Sequence, residues 1–83
     1  MAEIKLYGAD WCGDTQRTLK ALKNLDVDFE YINVDNDPSA SEWVKKQNGG
    51  KEKKPTVVVG NEILTTPDDS ELEAAVRNNG AVH

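Results

Sequence analysis

One cysteine, one methionine, one phenylalanine and one histidine occur in the 83 residues. With a single cysteine no disulfide can form within the chain. That excludes a disulfide-stapled secreted scaffold and points to a reducing compartment, the cytoplasm. The histidine, His83, is the last residue, and the sequence suggests no second metal ligand beside it. No apolar run approaches the ~20 residues needed to span a bilayer, and the opening MAEIKLYG lacks the apolar core of a secretory signal. Positive charge is also short: ten Lys and Arg stand against fifteen Asp and Glu, a formal net charge of −5. Nucleic-acid binding rests on a basic footprint, so neither a nucleic-acid nor a membrane partner is expected. Repeats, low-complexity segments and linkers are absent. One domain, residues 1–83, is expected to bury roughly 60% of its unfolded surface.

Turn signals divide the chain into short pieces. Ile4–Tyr7 is β-prone and ends at Gly8. From about Thr15 to Asn24, Leu19, Leu22 and Leu25 recur at roughly helical spacing between Arg17, Lys20 and Lys23. Phe29–Val34 reads as a second strand, and its alternation does not separate apolar from polar, so both of its faces are expected to be covered. Ser39, with Glu42 three residues on, is a capping-box signature for a helix running to Gln47 and stopping at Asn48-Gly49-Gly50. Val57–Val59, a Gly60-Asn61 turn, then Ile63 and Leu64 form a hairpin pattern. In TTPDD, Thr66 is the expected N-cap of a last helix with Pro67 at its first position, and Leu72, Ala75 and Val76 face the core. The order β-α-β-α-β-β-α predicts an α/β fold: a small four-stranded mixed sheet with helices on both faces.

This order puts Cys12 where the first strand hands over to the first helix. A helix N-terminus carries unpartnered N–H groups and partial positive charge, and both stabilise a thiolate. Thr15, three residues on, is placed to donate its hydroxyl hydrogen to the sulfur, whereas Asp10 and Asp14 oppose the thiolate as like charges. The expected net direction is a lowered pKa. The plain alternative is a buried, inert thiol, the common state of a lone cysteine. Trp11 either shields the thiol, presents a surface to substrate, or is simply apolar. Trp43 reads as packing, and Lys51, Lys53 and Lys54 as a solvated loop. Asp35-Asn36-Asp37 opens like a calcium loop, but Ala40 and Lys46 stand where that motif needs Gly and Glu.

WCGDT resembles the thioredoxin-superfamily redox loop W-C-x-x-C with Thr15 in place of the second cysteine. KPTVVVG resembles the V-P-T-V segment of glutaredoxins, whose proline is cis, and QNGGKEKKPTVVVGNEILTTPDDSEL is similar to the glutaredoxin and mycoredoxin pattern. The resemblance runs from Ile4 to about Val76. It implies a thioredoxin-like fold and a thiol–disulfide oxidoreductase with Cys12 and Thr15 as its catalytic residues. Substrate is expected against Trp11 and Gly13 and along Lys54-Pro55, where the backbone before the cis-proline pairs with a bound disulfide like an added strand. Thr66, Asp68 and Asp69 are expected to take the polar end of glutathione. Four features depart from the family: Lys54 stands where it more often carries an apolar residue, Pro67 has no N–H to offer, Thr65-Thr66 stands where it carries Gly-Gly, and Gly8-Ala9-Asp10 lacks its lysine, for which Lys51 or Arg17 would compensate.

With Cys12 alone, attack on a disulfide leaves a mixed disulfide that an outside thiol must resolve. Glutathione or another small thiol is the expected co-substrate, with no tightly bound cofactor, disulfide-containing proteins as partners, and a monomeric state. Two other readings follow from the same residues. One is a glutathione-dependent iron–sulfur carrier, which one cysteine per chain restricts to a dimer; Asp14-Thr15 departs from the C-G-F-S pattern of such proteins. The other is a non-catalytic thioredoxin-like binding domain.

Overall fold

The computed structural model describes residues 4–79, so His83 lies outside the described residues. Strand β1 (Ile4–Gly8) is followed by helix α1 (Gly13–Asn24), strand β2 (Glu30–Asn33), a short 3-10 turn (Val34–Asn36) and helix α2 (Pro38–Gln47). Strands β3 (Thr56–Val59) and β4 (Glu62–Thr65) then form the hairpin, and helix α3 (Asp69–Asn78) closes the order. The sheet order is β2-β1-β3-β4, with β1 parallel to β2 and antiparallel to β3. A parallel β1–β2 pair needs a crossover, and α1 supplies it.

Alternation along β1 separates two cores. Ile4 and Leu6 point to one face, where Leu22 of α1, Val57 and Val59 of β3, and Leu72, Ala75 and Val76 of α3 bury with them. Tyr7 points to the other face, against Val34, Ala40 and Val44, and its ring stacks on Trp43 at 4.7 Å between centroids. Strand β2 serves both faces, Tyr31 packing on the first core and Ile32 on the second, which is why its sequence shows no clean alternation. Trp43 is a packing residue, as expected. Among the described residues no helix is long and apolar enough to cross a membrane.

The N-caps of α2 and α3 differ from the expectation: in both an Asp carboxylate, not a hydroxyl, does the capping. For α2 the cap is Asp37, whose carboxylate accepts from the Ala40 amide at 3.1 Å, so Pro38 takes the first helical position and Ser39 falls inside the turn. Proline suits that position because its missing N–H would have no partner there anyway. Glu42 pairs with Lys45 instead of closing a capping box. At the other end, Gly49 takes φ 67, the left-handed conformation that releases the chain after the Asn48 cap.

For α3 the cap is Asp68, not Thr66. Asp68 and Glu71 form a reciprocal capping box, the Glu71 amide donating to Asp68 Oδ1 at 2.8 Å and the Asp68 amide to Glu71 Oε1 at 3.2 Å. Pro67 therefore precedes the cap and is fully buried. Thr66 is drawn the other way, its amide donating to the Pro55 carbonyl at 2.8 Å, and its φ is 44. A β-branched residue is a genuine outlier at positive φ, at a cost of about 1–3 kcal/mol. The side chain is exposed, so little packing is lost on removing it. Thr66→Gly is expected to stabilise the fold by about 1 kcal/mol after glycine's extra chain entropy, raising Tm by roughly 4–8 °C in thermal unfolding.

Candidate active site

Beyond Gly8 the chain enters a buried residue, Ala9, and turns through Asp10 and Trp11. The Cys12 amide closes this turn by donating to the Ala9 carbonyl at 3.0 Å, and the Cys12 carbonyl accepts the first helical bond from Gln16 at 3.1 Å. Cys12 is thus the N-cap of α1, with extended backbone (φ −83, ψ 118). The helix starts two residues earlier than the apolar spacing predicts, because its first turn carries no leucine to register. Gly13 opens it, and a Cβ there would meet open space, so its backbone lies bare beside the thiol.

The sulfur is half-buried and free. It closes no full capping hydrogen bond with the first-turn amides. The Thr15 hydroxyl nevertheless lowers its pKa most, aided by the amides of Thr15 and Asp14; partial burial and the Asp14 carboxylate work against them, and the net direction is down. Thr15 is fully buried, and its Oγ1 accepts from the Ala9 amide at 3.3 Å. A hydroxyl has one hydrogen and two lone pairs, so this bond leaves the hydrogen for the sulfur. Gly8 makes room for the arrangement: a Cβ there would sit 2.5 Å from both Thr15 Oγ1 and Cγ2.

Trp11 is 71% exposed, yet it is held at two points. Its indole N–H donates to Asp35 Oδ2 at 2.7 Å, and the Lys54 ammonium lies 5.0 Å from its ring centroid. Lys54 also pairs with Glu52, whose carboxylate accepts from the Ser41 hydroxyl; the two donors hold the Glu52 pKa below its ordinary value, Lys54 the more strongly. The Lys54–Trp11 contact brings the Pro55 loop against the Cys12 loop, and the Lys54–Pro55 peptide bond is cis, the form the resemblance implies.

Arg17, just over one turn beyond Cys12, ties α1 to the start of α3. It donates to Asp69 Oδ1 at 2.7 Å and to the Pro67 carbonyl at 3.2 Å. Asp69 is therefore not an unpartnered acid, nor is Arg17 an unpartnered cation, and Asp68 serves its capping box. A cleft of about 150 Å³ between α1 and α3, lined by Ala21, Asn24, Leu25, Asp69 and Glu73, includes no residue of the Cys12 loop.

Two residues that the sequence reading passed over sit at this site. Tyr31 donates its hydroxyl to Asp10 Oδ1 at 2.7 Å, and its pKa is pushed up to about 12, by burial first and then by Asp10. Asp35 clamps Trp11. The segment that fails as a calcium loop is a series of caps and clamps: Asn33 caps the 3-10 turn, Asp35 holds Trp11, and Asp37 caps α2. The parallel register sets Leu6 beside Tyr31 and carries the end of β2 to the end of β1, a placement that no sequence signal marks.

The family model for glutaredoxin matches residues 4–64. Mycoredoxin 1 of Corynebacterium glutamicum is 40% identical over 57 residues, covering 69% of this chain and 70% of that protein. The structure of a glutaredoxin from Archaeoglobus fulgidus superposes with a TM-score of 0.76 at 31% identity, covering 93% of this chain and 88% of that one. NrdH-redoxin of Escherichia coli, a glutaredoxin-like protein, superposes with a TM-score of 0.78 at 29% identity, covering 87% and 92%. Fold, cysteine placement and these likenesses agree: the chain belongs to the glutaredoxin family and is a glutaredoxin-like redox protein of the thioredoxin superfamily.

Proposed function

We propose that the chain is a monothiol thiol–disulfide oxidoreductase with Cys12 as nucleophile. The observation that carries this reading is the half-buried sulfur at the N-terminus of α1, its pKa lowered chiefly by the Thr15 hydroxyl. The Cys12 thiolate attacks one sulfur of a disulfide. Its electron pair forms the new S–S bond, the old bond breaks, and the departing sulfur leaves as a thiolate that takes a proton from water. A small external thiol, glutathione or another, then attacks the mixed disulfide in its thiolate form and returns Cys12 to its starting state. Thr15 has no sulfur, so no internal resolution competes.

In this reading Trp11, Gly13, Lys54 and Pro55 frame the approach of the second sulfur. Thr66, Asp68 and Asp69, at the N-terminus of α3, receive an ammonium on the small thiol. The test is the rate of Cys12 alkylation against pH, with mass spectrometry after exposure to oxidised glutathione and other small disulfides. The alkylation midpoint is expected below the ordinary thiol value of about 8.5, with a covalent adduct that Cys12→Ser loses. A midpoint at or above that value, together with no adduct from any small disulfide, overturns the proposal.

A further inference from the structure

Two carboxylates around the thiol, Asp10 and Asp35, are held by neutral donors. Asp10 takes its hydrogen bond from the Tyr31 hydroxyl and Asp35 from the Trp11 indole, both at 2.7 Å. Both donors are neutral, so neither bond brings a positive charge to the carboxylate. Asp14, in the first turn of α1, acts on the thiol directly. The charges converge in space: Asp10, Asp35 and Cys12 all act on the Tyr31 hydroxyl. Arg17 reaches Asp14 at 3.9 Å as well as Asp69 at 2.7 Å, one cation between two carboxylates, and Lys54 is tied to Glu52. The charge of each is thus already matched by a carboxylate other than Asp10 and Asp35.

We propose that the thiol site described under Proposed function, on which this inference rests, selects its disulfides by charge. Disulfides whose cysteines are flanked by Lys or Arg react faster with the Cys12 thiolate than disulfides flanked by carboxylates, because the first approach falls, and the second climbs, the potential set chiefly by Asp10 and Asp35. A surface lined by one sign of charge raises the on-rate of oppositely charged partners by about 10–1,000-fold, and the effect falls steeply with salt.

The test uses three small disulfides of graded charge: cystamine, hydroxyethyl disulfide and dithiodipropionate. Their rates with Cys12 are each divided by the rate with a neutral free thiol under the same conditions, which removes the leaving-group difference and the charge of the thiolate itself. At low ionic strength the normalised cystamine rate is expected to exceed the dithiodipropionate rate by at least about tenfold. At 1 M salt, where the screening length is about 3 Å, the ratio is expected to fall towards one. Asp10→Asn with Asp35→Asn keeps an acceptor for Tyr31 and Trp11 while removing both charges, and is expected to lower the low-salt ratio several-fold. A normalised ratio near one at low salt overturns the charge selection. So does a ratio that neither salt nor the double substitution changes. Failure of Cys12 to react with any of the three overturns the oxidoreductase reading itself, which separates the two failures.

Discussion

Replacing Thr15 with Val slows disulfide attack by Cys12 at neutral pH by about three- to tenfold and destabilises the fold by about 1–3 kcal/mol. The shapes of the two side chains are nearly the same, so the loss is that of the hydroxyl. On one side the sulfur loses the hydrogen bond that does most to hold its pKa down. A hydrogen bond to a charged group contributes about 1.5–3 kcal/mol, enough for a tenfold or larger fall in thiolate fraction, which the greater intrinsic nucleophilicity of a more basic thiolate partly offsets. On the other side the Ala9 amide, in a buried stretch, loses its acceptor. The pH profile of alkylation separates these effects: its midpoint moves up in Thr15→Val, whereas a purely structural change leaves it in place. Thr15→Ser keeps the hydroxyl and is expected to restore the midpoint. A Thr15→Val protein with an unmoved midpoint would show that the hydroxyl does not act on the sulfur.

Leu6→Ala is expected to cost about 2–5 kcal/mol. Leu6 is fully buried on the central pair of strands, set against Tyr31 on one side and Val57 on the other, under α1 and α3. Folded domains of this size hold only about 0.05–0.15 kcal/mol per residue, so such a loss is a large fraction of the total. Thermal unfolding followed by circular dichroism should show Tm falling by more than about 10 °C. Ile63 is the contrast: it is 45% exposed on the edge strand, and Ile63→Ala is expected to change stability by about 0.5 kcal/mol or less. Equal shifts for the two variants would refute the placement of the main core beneath β1.

The elements were legible because their signals are local. β-prone runs, leucine spacing and turn residues act over a few positions, and the order they define restricts the topology to a mixed sheet with covered faces. The helix caps were not legible to the residue. In NVDNDPSASEW both Asp37 and Ser39 are good caps, and the choice follows from seating Pro38 in the first turn. In TTPDD both Thr66 and Asp68 qualify. Pro67 does not open the helix, because Arg17 from α1 takes its carbonyl and the Pro55 loop takes the Thr66 amide. Sequence alone holds no trace of either contact.

The sequence by itself determined the strand–helix order, the core face of the last helix, and a lone thiol at a helix entrance with a hydroxyl three residues on, because each of these is written in neighbouring residues. The tertiary structure alone decided the surroundings of that thiol. Trp11 meets Asp35 across 24 positions and Arg17 meets Asp69 across 52, pairings that arise only when the sheet registers and the helices pack. Charge acts through space rather than along the chain, so which carboxylates gather near Cys12, and which of them a cation pairs with, is a property of the fold.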